Sequence, residues 1–239
     1  MKCLMLAGGF ATRLYPVTEN RAKALLEFRG RPVISHLVGR IPGHLDILVS
    51  TNKKFEVDFL RWRDTLGRPV EIGVEEATAD AQKLGAVGAI DFWVKKKNIT
   101  DDLLVIAADN YFELDLADFV AHFDGRTTLI AVYDVGDKEK ACEIDKACQV
   151  GLVVLKGDRV VRLDEKPPKP TSSIIATGIY LLPARIFPIL SRYCEEKKQD
   201  NLGQFISYLL RRKEPVRAYA FTQIWMDIGD EIGRGRLTI

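Results

Sequence analysis

The sequence predicts an α/β protein: a mixed, mostly parallel central sheet with helices on both faces. Three observations carry this. Short apolar runs alternate with segments of helical period through the first half of the chain, the pattern left by strands and crossover helices. The first run, Lys2–Leu6, leads into the glycine pair Gly8-Gly9, where backbone can come close to a ligand. The second half changes to paired β-rich runs around Gly157-Asp158, a two-residue hairpin signal. An antiparallel region therefore joins the core and supplies one wall of a site.

Each element follows from its residues. Lys2–Leu6 reads as a buried first strand. Arg31-Pro32 opens a helix, since proline suits a first helical turn, and Val33, Leu37 and Ile41 recur on one face. Residues 45–50 form a second buried strand. Phe55, Phe59, Trp62 and Leu66 mark a helical stripe, 70–74 a strand, and Leu84, Val87, Ile90 and Val94 the next helix. Leu103–Ala107 is a strand that delivers Asp109. Leu116, Phe119, Val120 and Phe123 fall at helical spacing, and 128–135 is β-rich. Residues 150–155 and 159–163 flank the hairpin turn, and Ile174–Leu182 is a further strand. Helical stretches at 184–190 and 202–212 precede a late strand, Val216–Phe221. No internal repeat, low-complexity segment or linker interrupts the 239 residues. One domain is expected, in two halves at about 1–125 and about 126–239.

Composition narrows the class. Hydrophobic residues make up 47% and charged residues 28%, enough apolar material for one sizeable core. The net charge of +2 offers no bulk attraction for a nucleic acid or a membrane surface. No apolar run reaches bilayer length, and the N-terminal run is too short for a signal peptide. A cytoplasmic protein with free thiols is expected. Cys3, Cys142, Cys148 and Cys194 show no metal-ligand spacing, although Cys142 and Cys148 are close enough to pair in an oxidising setting.

The chemistry begins in the loop after the first strand. Gly8 and Gly9 let backbone amides approach an anion, and Arg13 and Lys23 place two cations beside them. Neither a Walker loop nor a GxGxxG fingerprint is present. The order Gly8-Gly9-Phe10-Ala11-Thr12-Arg13-Leu14, then Pro16, Thr18 and Lys23, resembles the signature loop of the sugar-phosphate nucleotidylyltransferases, of the glucose-1-phosphate thymidylyltransferase type. The likeness continues in order. Leu84-Gly85-Ala86-Val87-Gly88 is similar to that family's base-recognition segment, and Asp109-Asn110 to the end of its metal-binding strand. Glu165-Lys166-Pro167 resembles its sugar-phosphate motif. Thr177-Gly178-Ile179-Tyr180 and Trp225-Met226-Asp227-Ile228-Gly229 complete the set. Ala22, Ala86 and Ala108 replace the proline, threonine and glycine usual at those positions, and no charged group is lost.

The resemblance implies a three-layer αβα Rossmann-like nucleotidyltransferase fold, without the β-helical C-terminal domain of longer members. It implies transfer of a nucleotidyl group from dTTP or UTP to a hexose 1-phosphate, with Mg2+ as cofactor. GTP or CTP with mannose 1-phosphate or phosphocholine is the same-chemistry alternative, and a non-catalytic regulatory relative the other. Arg13 and Lys23 would grip the triphosphate, and Asp109 and Asp227 would hold magnesium. Lys166 would hold the sugar phosphate, Glu165 the sugar hydroxyls, and Gly178 would admit the sugar to the backbone. Leu6, Gly8, Gly9, Gly85, Gly88 and Asn110 complete the expected substrate-binding set. The acceptor phosphate, with a second pKa of about 6, is already ionised, so no general base is needed. His36, His44 and His122 lie outside these motifs and are expected to be ordinary helix or loop residues. Oligomeric state is left open.

Overall fold

The computed structural model describes residues 1–137, 150–196, 201–233 and 235. In chain order the strands and α-helices are β1 (Lys2–Leu6), β2 (Glu27–Phe28), β3 (Arg31–Pro32), α1 (Val33–Val38), β4 (Asp46–Asn52), α2 (Glu56–Arg63), β5 (Glu71–Glu75) and α3 (Gly85–Lys96). There follow β6 (Leu103–Ala107), β7 (Asn110–Phe112), α4 (Leu116–Ala121), β8 (Thr128–Asp134), β9 (Gly151–Lys156), β10 (Arg159–Glu165) and β11 (Ile174–Leu182). The last elements are α5 (Phe187–Glu196), α6 (Leu202–Arg211), β12 (Val216–Phe221), β13 (Trp225–Asp227) and α7 (Ile228–Gly233).

One sheet runs in the order β5-β4-β1-β6-β11-β8-β12-β10-β9. Strands β5, β4, β1 and β6 are parallel, and β8 and β12 share their sense, because β11 is inserted antiparallel between β6 and β8. The hairpin β9–β10 turns at Gly157-Asp158, with Arg159 opposite Lys156, as the two-residue signal predicts. β9 also reaches back to β11, Leu152 pairing with Ile175, so the second half of the sheet curls towards the site.

Period-two alternation divides the core. Cys3 and Met5 point to the face covered by α1, α2 and α4, with Leu37, Phe59, Trp62 and Phe119. Leu4 points to the face covered by α3, α5 and α6, with Trp93, Leu190, Phe205 and Leu209. Three layers result, and parallel strands buried on both faces explain why they read as continuous apolar runs. Among the described helices none is long and apolar enough to cross a membrane.

Some expectations shift. Arg31-Pro32 does not open the helix: it forms β3, and Pro32 caps α1 with an extended ψ of 141°. The cause is the β2–β3 hairpin, whose turn residues Arg29 and Gly30 take positive φ values of 50° and 80°, a mirror-image turn that pulls residues 31–32 into a strand. Ile41 is buried but lies beyond α1. The strand expected at 70–74 sits one residue later, and the helix expected at 184–190 is a 3-10 turn at Ala184–Ile186 followed by α5. Four short strands, β2, β3, β7 and β13, went unread. Cys142 and Cys148 lie outside the described residues, while Cys3 and Cys194 are buried thiols.

His36 is more than an ordinary helix residue. It is 7% exposed and packs edge-on against the rings of Phe28 and Tyr111, at centroid distances of 5.8 and 5.4 Å. Its Nδ1 accepts from Arg31 Nε at 3.0 Å, so its Nε2 carries the proton and donates to the Phe28 carbonyl at 2.7 Å. Burial lowers its pKa, the bond to Phe28 opposes this, and Arg31, Arg29 and Arg40 lower it further. A histidine whose folded pKa lies below its unfolded value of about 6.5 contributes stability that is present above that pH and is lost as pH falls through it. Urea unfolding of the native protein should therefore weaken between pH 7.5 and 5 by more than that of His36→Gln. Parallel pH profiles would refute the assignment.

Candidate active site

The site lies at the carboxyl ends of the parallel strands. From β1 the chain moves outward to β4 and β5, then returns to the other side of β1 as β6. The loops leaving β1 and β6 diverge at that switch point, the usual ligand position in such sheets. Register brings Leu6 level with Ser50 and with Ala107, so the loops that follow start from one level.

The first loop is held from beneath. Asn52 Nδ2 donates to the Gly8 carbonyl at 3.1 Å, and its Oδ1 accepts from Phe55 N at 3.2 Å. A Cβ on Gly8 would lie 3.2 Å from Glu75 Oε1, so the loop sits directly on that carboxyl. Glu75 is 4% exposed and accepts from Ser50 Oγ at 2.6 Å, which in turn accepts from Trp93 Nε1 at 2.7 Å. Burial raises the Glu75 pKa, and bonds from Ser50 and the Leu84 backbone N–H oppose the rise. The same carboxyl thus underlies Gly8 and ties down the entry to α3, where Gly85 takes a φ of 73° and Gly88 is buried. Further along the loop, buried Thr18 donates to the Ala11 carbonyl at 2.8 Å, while Gly9 and Arg13 face solvent.

Lys23 enters from a 3-10 turn, Lys23–Leu25. Its Nζ lies 3.0 Å from Asp109 Oδ2 and 2.7 Å from Asp227 Oδ1, although Lys23 and Asp227 are 204 positions apart. Burial by itself disfavours the ammonium, but the two carboxylates outweigh it and raise the Lys23 pKa above its ordinary value. Asp109 follows β6, and Asp227 closes β13, which pairs with β7 so that Asp227 stands opposite Asn110. The Asp227 oxygen also accepts from the backbone N–H groups of Gly229 and Asp230, at 2.8 and 3.1 Å. Trp225, on the same short strand, donates from Nε1 to the Thr177 carbonyl at 3.2 Å, which fixes the strand against β11.

Gly178 is required on two counts. Its φ is 80°, and a Cβ there would lie 2.9 Å from Ala107 Cβ and 3.0 Å from Asn110 Nδ2. Asn110 Oδ1 is buried without a partner. Leu6, Lys23, Asp109, Asn110, Gly178 and Asp227 are thus drawn around one end of β1 and β6.

Glu165 and Lys166 come from the far end of the sheet order. The ladder places Glu165 opposite Gly151, and the next residue, Leu152, pairs with Ile175, three positions before Gly178. The Glu165 carboxylate is lodged against the first turn of α6: a Cβ on Gly203 would lie 1.8 Å from its Oε2, and one on Gly151 3.0 Å. Lys166 is exposed and holds a left-handed φ of 47°, a conformation unfavourable for a residue with a side chain.

Several supporting residues went unread: Ser50, Asn52, Glu75 and Trp93 beneath the loop; Gly229, read only as the end of the last motif, lies beside Lys23. Asn52 and Glu75 end parallel strands and Ser50 lies two residues before such an end, and that position was the available signal.

Comparison with known proteins agrees with this geometry. The sequence profile of the nucleotidyl transferase family matches residues 2–231. The bifunctional protein GlmU of Methanocaldococcus jannaschii is 27% identical over 234 residues, which cover 96% of this chain and 51% of that protein. A mannose-1-phosphate guanyltransferase of Debaryomyces hansenii is 26% identical, over 96% of this chain and 61% of its own. The chain therefore spans about half to three-fifths of the length of these curated relatives. A solved structure assigned as a glucose-1-phosphate thymidylyltransferase from Bacillus anthracis superposes with a TM-score of 0.80 at 24% identity, covering 99% of this chain and 93% of its own, a likeness of fold. With that match running through the whole sheet and the converging charged residues, the chain belongs to the nucleotidyl transferase family.

Proposed function

We propose that this protein transfers a nucleotidyl group from a nucleoside triphosphate to a sugar 1-phosphate and releases pyrophosphate. The donor is dTTP or UTP, and the acceptor a hexose 1-phosphate such as glucose 1-phosphate. GTP with mannose 1-phosphate is the second reading, favoured by the name of the yeast relative. The observation that carries the transferase reading is the meeting of Lys23, Asp109 and Asp227 at the switch point, the ammonium lying 3.0 and 2.7 Å from the two carboxylates.

In this reaction an oxygen of the sugar phosphate attacks the α-phosphorus. The bond from that phosphorus to the bridging oxygen breaks, and its electron pair leaves on pyrophosphate. The attacking oxygen already carries negative charge, so proton abstraction is not the problem to solve. Bringing two polyanions together is. Arg13 and Lys23 offset the triphosphate charge, and Lys166 that of the sugar phosphate. Gly8, on its Glu75 and Asn52 supports, sets backbone beside the nucleotide. The donor set fits magnesium: two carboxylates from separate elements converge on one point, and magnesium favours one or two carboxylates completed by phosphate oxygens. Asp109 and Asp227 would hold the ion, whose part is to stabilise charge on the phosphates.

A pyrophosphate-release screen of each nucleoside triphosphate against a panel of sugar 1-phosphates, with and without magnesium, tests the reading. Turnover with one pair, lost without magnesium, is expected. No turnover with any pair refutes it. On the active pair, Lys166→Ala should raise the KM of the sugar phosphate with little change for the nucleotide, because a point charge on the bound phosphate is lost. Arg13→Ala should mainly lower kcat, since its contact strengthens as pyrophosphate departs. Steady-state kinetics showing the inverse pattern would mean that the two roles are exchanged.

A further inference from the structure

The geometry points to Gly229 as a positioning residue that seats the Lys23 ammonium between Asp109 and Asp227 as an exchangeable counter-ion, which must leave before a divalent cation can bind the two carboxylates. The metal part of this inference rests on the reading given under Proposed function. The seat itself rests on contacts within the chain.

Space is the first argument. A Cβ on Gly229 would lie 2.6 Å from Lys23 Nζ and 2.7 Å from Lys23 Cε, closer than real Cβ contacts come, and 3.2 Å from Asp227 Oδ1. Gly229 is not among the glycines with positive φ, so its backbone would accept a side chain. What demands glycine here is the room taken by the lysine tip.

Charge is the second argument. The ammonium is the shared partner of both carboxylates, at 3.0 and 2.7 Å, and the Lys23 side chain is only 11% exposed. Magnesium binds carboxylate oxygens at about 2.0–2.1 Å. An ion at that distance from the same oxygens would stand almost in contact with the ammonium, and two cations repel at such range. The carboxylates can hold one or the other. Asp227 stays in place when the lysine moves, because the N–H groups of Gly229 and Asp230 grip the same oxygen. Lys23 is the mobile partner, a point charge on a four-carbon stem. The triphosphate of an incoming nucleotide gives it another anionic partner, so nucleotide binding and metal binding favour each other. Free metal binds poorly, and the open carboxylate pair is not left to capture stray cations.

A loss of the lysine should therefore produce a gain. Manganese serves as the probe, and its free concentration is followed by electron paramagnetic resonance during titration of the protein without nucleotide. Lys23→Met and Gly229→Ala should each bind manganese about tenfold or more tightly than the native protein, within the usual range of site coupling. Adding Asp227→Asn to either variant should abolish the gain. Circular dichroism checks folding, and if Lys23→Met does not fold, Gly229→Ala decides alone, since it keeps the lysine and both carboxylates and presses hardest on the lysine tip. A gain smaller than tenfold in the folded variants overturns the inference, because a merely structural role for Lys23 or Gly229 cannot increase metal affinity. The measurement needs no turnover. A negative substrate screen beside a positive manganese result would sink the transferase reading and leave the seat standing.

Discussion

Asp109→Asn and Asp227→Asn should each lower turnover by about a hundred- to a thousand-fold, the usual consequence of removing one electrostatic element from a phosphate-transfer site. Each substitution keeps the size of the side chain, and Asp227→Asn keeps the acceptor for the Gly229 and Asp230 N–H groups. The fold should survive, and circular dichroism would establish that. Because both carboxylates address the same point, 3.0 and 2.7 Å from Lys23 Nζ, they act as a unit. The double variant should be little worse than the worse single one. Two folded single variants with near-native rates in the pyrophosphate assay would remove the basis for a shared cation site.

Trp93→Ala should cost about 3–5 kcal/mol of folding stability, the range for emptying a buried aromatic site. That is a large part of the 5–15 kcal/mol a domain typically has. Trp93 is 1% exposed. Its ring fills the space left by Gly73, where a Cβ would lie 2.6 Å from a ring carbon, so the strand and the helix are cut to one shape. The indole N–H also donates to Ser50 Oγ, the partner of Glu75, and its loss loosens the support under Gly8. A fall in Tm on the order of 10 °C is expected for a chain of this size, together with a weaker apparent affinity for nucleotide. A loss below about 1 kcal/mol in urea unfolding would mean that the site collapses to fill the cavity.

What the residue order determined by itself is the alternation of buried strands and amphipathic helices. Continuous runs such as Lys2–Leu6 and Leu103–Ala107 are apolar because both faces of those strands are covered, and that requirement is written in adjacent residues. The hairpin at Gly157-Asp158 was legible for the same reason, since turn chemistry is local. The charged candidates could be named because their motifs stand in order along the chain. Their company could not be read. Nothing near Lys23 in sequence says that its ammonium will lie between Asp109 and Asp227, because the short strands β7 and β13 that bring Asp227 opposite Asn110 have three residues each. Strands that short have too few residues for a period to show, and they exist only because they pair. Glu75 was missed as well. A carboxyl at a strand end reads as solvated until the tertiary structure places Gly8, Ser50 and the Leu84 N–H around it. Gly229 read only as the end of a motif and Gly203 as an ordinary helix residue, yet a Cβ on either would strike the tip of a charged side chain from another element. Those constraints are distances between parts of the chain far apart in sequence, and only packing sets such distances.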